Sequence, residues 1–143
     1  EVEVDQETGE VKVLKQVIAQ DVGRAINPMA VEGQMVGGGV QGLGWALYER
    51  MIYGEDGQLL TGSWIDYAVP ASIQSAPEVE TIIIEIPSEH GPFGARGVGE
   101  PPVTPTAAAV ANAIAHATGV RMTSIPMTPP DVLRALKSNN GHA

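Results

Sequence analysis

"INPMAVEGQMVGGGVQGLGWALYER", residues 26–50, decides how the rest of the chain is read. Six glycines fall inside it, Gly33, Gly37, Gly38, Gly39, Gly42 and Gly44. Each costs roughly 0.8–1 kcal/mol against alanine in a helix interior. Apolar side chains nevertheless recur at Val36, Val40, Leu43 and Leu47 with helical spacing, and Asn27-Pro28 supplies a cap and a first-turn residue. The pattern therefore predicts a helix from Asn27 to about Arg50, its poor propensity offset by core packing. Glycines in such a helix mean that a second backbone or a ligand comes close. On a helix Gln34, Gly38 and Gln41 share a face, which puts two amides around a bare backbone and suits a polar, planar ligand. Tight packing of the helix on a sheet, with two solvated glutamines, accounts for the same residues.

Outward from this helix, residues 1–5 and 10–20 read as strands joined in a hairpin at Thr8-Gly9. Asp56-Gly57 predicts a second hairpin joining residues 51–55 to 58–61, and residues 64–69 continue as a strand. Residues 70–77 read as loop, 79–86 as a buried strand and 87–102 as a long irregular segment. Thr104-Pro105 starts a second helix that ends near Thr118 at Gly119. A short strand at 121–126 and a last helix from Thr128-Pro129 to about Ser138, with Val132, Leu133 and Leu136 on one face, complete the chain. "INP" at 26–28 and "VTP" at 103–105 each follow a strand and open a helix, a weak hint of a duplicated unit. These elements predict one two-layer α+β domain over residues 1–143, with a mixed sheet and helices on one side.

Composition excludes several functions. With 143 residues and 43% hydrophobic content the chain can bury one core. Eight basic against 17 acidic residues leave a net charge of −9, which disfavours nucleic acid and anionic membrane as partners. No apolar run has the length of a membrane span, and no signal peptide is evident, so a cytoplasmic location is expected. There is no cysteine, and His90, His116 and His142 are too scattered for a ligand set, so any metal would have to be held by something other than these side chains.

The second informative stretch is "GARGVGEPPVTPTAAAVANAIA", residues 94–115. Gly97 and Gly99 let the backbone approach a neighbour, and Pro101 biases Glu100 away from helical geometry, so its carboxylate is presented ahead of the helix. A presented carboxylate can serve as a general base. It can equally be a surface residue that interacts with the helix dipole.

"GPFGARGVGEPPVTPTAAAVANAI" and "DVGRAINPMAVEGQMVGGGVQGLGWALYE" together closely resemble the C-terminal region of the molybdenum-binding subunit of the xanthine oxidase and aldehyde oxidoreductase family, and the resemblance extends over essentially the whole chain. It implies that Glu100 is the active-site base and that Gln41 contacts the molybdopterin cofactor. Gly38, Gly39, Gly42 and Gly99 would then form the backbone surface near the pterin. It also implies that the metal is held by the dithiolene of the pterin, which explains the missing protein ligands. The reaction the resemblance implies is hydroxylation of an aldehyde or N-heterocycle, a small-molecule substrate, with oxygen from water: Glu100 removes a proton from a hydroxyl at the metal, the oxygen attacks an electron-poor carbon, and hydride passes from that carbon to the sulfido group of the metal. The mononucleotide and cytosine dinucleotide forms of the cofactor both fit. Family subunits are several times longer than 143 residues, so the chain is expected to be one lobe of a molybdenum cofactor-binding domain, as a fragment or a separate subunit. Its partners would be the remaining molybdenum-binding lobe and iron–sulfur and flavin subunits carrying [2Fe–2S] clusters and FAD. By itself it would be inactive, with apolar faces left for the missing lobe. A non-catalytic assembly or binding module that keeps the family fold is the alternative.

Overall fold

A computed structural model describes residues 1–71 and 77–140. The chain runs β1 (Val2–Val4), β2 (Val11–Val13), β3 (Lys15–Asp21), α1 (Pro28–Leu47), β4 (Glu78–Ile84), a 3₁₀ turn (Pro92–Gly94), α2 (Thr106–Thr118) and α3 (Pro129–Asn140). This is an α+β arrangement, with its strands divided between two small sheets. β1 and β2 pair antiparallel, Val2 opposite Val13, and β3 and β4 pair parallel, Lys15 opposite Glu78 through Asp21 opposite Ile84. The predicted strand at 10–20 is thus two strands broken at Leu14, the first serving the hairpin and the second the parallel pair.

α1 begins where the cap signal puts it. Asn27 is extended (φ −134°, ψ 91°), and its side-chain oxygen accepts from the Ala30 amide at 3.2 Å. The buried face differs from the expected stripe. Val31, Met35, Leu43, Ala46 and Leu47 face inward, whereas Val36 is 37% exposed. The first half of α1 lies on the parallel pair, where Val31 and Met35 meet Ile18 and Val22. The second half closes the main core, where Leu43, Ala46 and Leu47 meet Val11, Val110, Ile114, Met127, Val132 and Leu136. Val132 and Leu136 are buried and Leu133 half-buried, as the face of the last helix requires. α2 ends at Gly119, which adopts the left-handed conformation (φ 75°) expected of a residue closing a helix.

Other expectations need correction. The helix expected from Thr104-Pro105 starts one residue later, with Pro105 in the capping position and no side-chain cap. Residues 64–69 form no strand, because Ser63 organises a turn: its carbonyl accepts from the Asp66 and Tyr67 amides, and its hydroxyl donates to Asp66 at 2.7 Å. Residues 51–61 turn at Gly57 (φ 81°) but make a single bridge, Tyr53 to Leu59, rather than two strands. Residues 121–126 form no strand, and the Met127 amide donates to the carbonyl of Ala46 in α1. The expected loop at 70–77 lies largely outside the described residues. β4 is half-buried rather than buried: Val79, Thr81 and Ile83 turn inward while Ile82 and Ile84, with Val17 of β3, leave the outer face of the parallel pair exposed. Parallel pairs are normally covered on both faces.

Candidate functional site

The Glu100 loop is built from its ends. Gly23 bridges Ala95 in antiparallel fashion, through Arg24 N–H to Gly94 C=O (2.9 Å) and Arg96 N–H to Val22 C=O (2.8 Å). Asp21, at the end of β3, accepts from the amides of Gly23 (2.9 Å) and Ile86 (3.1 Å) and from Arg96 Nε (3.1 Å). The Gly23 amide is the main reason its carboxyl is held below the usual range, with the Ile86 amide and Arg96 adding to it. Further along, Gln20 Nε2 donates to the Gly97 carbonyl at 3.3 Å. The chain then turns back on itself, Val103 N–H donating to the Glu100 carbonyl at 3.0 Å, and enters α2 at the buried Thr106.

Glu100 stands at the crest of this loop with its side chain exposed; among the described residues its carboxylate makes no hydrogen bond and no ion pair. Gly99 beside it is also exposed. A Cβ on Gly99 would come within 3.2 Å of Gln34 Oε1, so α1 passes directly alongside the loop. An apolar pocket of about 240 Å³ opens at the same place, lined by Val22, Val31, Gln34, Arg96 and Val98 among others. A pocket of about 330 Å³ between β2, β3 and α2 has Thr106 and Gln16 in its wall but not Glu100.

Five of the six glycines of α1 fall into two sets, and this corrects the expected cradle; the sixth, Gly44, is buried against Glu49 and Pro70. Gly38, Gly39 and Gly42 are buried. A Cβ on Gly38 would stand 2.9 Å from Pro102 Cβ, on Gly39 2.5 Å from Ile18 Cδ1 and on Gly42 2.6 Å from Thr106 Cβ. Their missing side chains make room for the loop, β3 and α2 of this chain, so Gly38 is not bare backbone between two glutamines. The open glycines are Gly33 and Gly37, where an added Cβ would meet nothing within 4 Å. They lie on the exposed face with Gln41, at successive four-residue steps. Sequence reasoning singled out Gln41 but not these two as site residues. The signal for them was their spacing from Gln41.

β3 carries two further residues that the sequence reading passed over. Gln16 Nε2 donates to Thr106 Oγ1 at 2.9 Å, and that hydroxyl donates to the Pro102 carbonyl at 3.0 Å. The Oε1 atoms of Gln16 and Gln20 are buried without a partner. Such a group costs roughly 1–3 kcal/mol relative to a satisfied one. Alternation along the strand places both on the face of the buried Ile18, which was the available clue.

Comparison with known proteins identifies the family of the chain. The family model for the molybdopterin cofactor-binding domain matches residues 1–75. The chain is 40% identical to the 6-hydroxypseudooxynicotine dehydrogenase complex subunit gamma of Paenarthrobacter nicotinovorans, over 98% of this chain and 18% of that protein. It is 39% identical to the aldehyde oxidoreductase of Megalodesulfovibrio gigas, over 96% of this chain and 15% of that one. The solved quinoline 2-oxidoreductase of Pseudomonas putida 86 superposes with a TM-score of 0.85 at 35% identity, over 95% of this chain and 18% of its own. The chain thus spans less than a fifth of the length of these relatives. No helix among the described residues is long and apolar enough to cross a membrane, and no cluster of His, Asp and Glu among them could hold a metal ion. Its motifs, its fold and its relatives agree: the chain belongs to the molybdenum-binding large subunits of the xanthine dehydrogenase and aldehyde oxidoreductase family, of which it carries one segment.

Proposed function

We propose that this chain supplies the active-site base, Glu100, and one wall of the molybdopterin site in a molybdenum hydroxylase that oxidises an aldehyde or N-heterocycle at an electron-poor carbon, with oxygen from water. The observation that carries this reading is the position of Glu100: exposed and unpaired at the crest of a loop fastened along its length, where the loop meets α1 at Gln34 and Gly38. A base must reach the proton it removes, and a free carboxylate on a braced loop meets that requirement.

The residues present fit part of a cofactor site. The open backbone at Gly33 and Gly37 leaves space where a Cβ would stand, and the exposed amide of Gln41 can donate to and accept from a pterin ring. Gly99 would let the same group approach the loop. Gly38, Gly39 and Gly42 serve by letting α1 lie directly on the loop, β3 and α2. When bound, the cofactor supplies the two-electron acceptor and the Lewis acid that acidifies water. Glu100 accepts the proton at a carboxylate oxygen, and Gln34 borders the loop beside it. The remaining cofactor contacts, the substrate pocket, the iron–sulfur clusters and the flavin belong to the rest of the assembly, and the mononucleotide or dinucleotide form of the cofactor is set there too. The 143-residue chain alone is accordingly expected to hold no stoichiometric molybdenum.

The test is turnover of the complete protein in isotopically labelled water with an artificial electron acceptor. Stoichiometric molybdenum and label in the hydroxylated product are expected. Absence of molybdenum from the native assembly would make the segment a binding module instead, and an unlabelled product would exclude hydroxylation by water.

A further inference from the structure

Two glutamines of β3 sit where packing calls for apolar side chains. Gln16 and Gln20 flank Ile18 on the face that meets α1 and the Glu100 loop, and each buries an amide oxygen with no donor. A leucine or methionine would avoid that burden, so what these side chains contribute lies in the bond each of them does make. One bond ends on the Glu100 loop and the other on Thr106, the first residue of α2, which passes it on to the loop. Gln20 Nε2 donates to the Gly97 carbonyl. Gln16 Nε2 donates to Thr106 Oγ1, and because the amide nitrogen is only a donor, the Thr106 hydroxyl hydrogen is left for the Pro102 carbonyl. Gly97 and Pro102 are the two shoulders of the loop, on either side of Glu100, and Pro102 is fully buried against Gly38.

We infer that Gln16 and Gln20 are positioning residues for Glu100: with Thr106 as relay they fix the Gly97 and Pro102 carbonyls, so that the carboxylate is presented from a loop that cannot turn about either shoulder. The inference rests on the reading of Glu100 as the base. Freeing one shoulder leaves the carboxylate in place chemically but spreads it over more orientations, which lowers the rate of proton removal and leaves substrate binding unchanged.

The experiment uses the complete, molybdenum-loaded enzyme with Gln20→Met and Thr106→Val, which keep volume and remove the donor or the hydroxyl, and Thr106→Ser, which keeps the hydroxyl. Each is also made in a Glu100→Gln background. The expected result is a loss of about tenfold or more in kcat for Gln20→Met and Thr106→Val, with KM and molybdenum content within about twofold and recovery in Thr106→Ser. Exchange of the Val103 amide, which donates to the Glu100 carbonyl, should quicken in the first two variants while amides in the middle of α1 keep their protection. In the Glu100→Gln background the same changes should produce no further loss from the residual rate, because they act only through that carboxylate.

A further loss in that background would mean a general structural role and overturn the inference. So would full turnover and unchanged Val103 exchange in both variants while Glu100→Gln is inactive, and this pattern would leave the base assignment standing. Turnover retained in Glu100→Gln itself would remove the base reading and this inference together. Gln20→Met carries the test by itself if Thr106→Val fails to fold.

Discussion

Along α1, Gly38, Gly39 and Gly42 face Pro102, Ile18 and Thr106 at separations where an added Cβ would collide, whereas Gly33 and Gly37, on the opposite side of the same helix, face open space. The first set is explained within the chain, since glycine lets α1 lie directly on the loop, the parallel pair and α2. The second set has no such explanation among the described residues. Two exposed helical glycines cost roughly 2 kcal/mol in propensity, and their open backbone leaves room for a group to lie against the outer face. That face also carries Gln41 and Met29, the latter 79% exposed, and Gln34 of the same helix borders the Glu100 loop at Gly99. In the proposed reading one helix separates two tasks: its inner face builds the fold and its outer face receives the remainder of the site.

The contrast is broken most severely on the inner face. Gly42→Ala puts a methyl against the Cβ, Oγ1 and Cγ2 of Thr106, with α2 behind it, and should destabilise the complete protein by about 1–3 kcal/mol even though alanine is the better helix former. A lowered thermal midpoint is the expected readout, and an unchanged one would mean that the α1–α2 contact is loose. On the outer face the effect should appear in the cofactor. Gln41→Leu removes an amide that contacts the pterin in this account, at a cost of about 1–3 kcal/mol in binding, so molybdenum content should fall more than stability. Loss of stability in fully loaded protein would return Gln41 to packing.

How much of this division could be read beforehand depended on how local its causes are. The start of α1 is set by Asn27 and Pro28 within one turn and was legible, as was the close of α2 at Gly119. The irregular segment carrying Glu100 was legible from its glycines and prolines. Which face of α1 is buried was not, because Val36 and Val40 satisfy the helical spacing as well as Val31 and Met35 do, and only the position of β3 and the loop decides between them. For the same reason Gly38 looked like bare backbone until Pro102 was found against it. The expected strand at 121–126 failed because pairing needs a partner strand, which spacing along one segment cannot supply.

A pH titration sharpens the inner side of the comparison. Arg50, just beyond α1, meets Asp131 of α3, whose carboxyl is pulled down to about 2, first by the Thr128 hydroxyl, then by Arg50 and Arg134. Its folded value lies below the unfolded one, so the stabilisation is present above the ordinary carboxylate range and is lost as pH falls through that range toward about 2. Asp131→Asn should thus lower the thermal midpoint at neutral pH, and the gap to the parent should close near pH 2. A gap that stays constant with pH would mean that the charge of Asp131 is not what matters.

The smallest effect is expected at Gly37→Ala, which should raise helix stability by about 0.8–1 kcal/mol, since no neighbour in the chain opposes the methyl. If a group lies against the outer face in the complete enzyme, this gain is accompanied by reduced molybdenum content. A gain with unchanged molybdenum would show that nothing approaches Gly37 closely.

The most direct test of the central claim, that this segment presents the base of the reaction, is the turnover of Glu100→Gln compared with the parent at equal molybdenum content. The side chain keeps its size and one acceptor oxygen, exchanges the other for an amide donor, and loses its charge and its ability to take a proton. The account predicts full molybdenum loading and a rate lower by about 10²–10⁴-fold. Turnover equal to that of the parent in the fully loaded variant would contradict it.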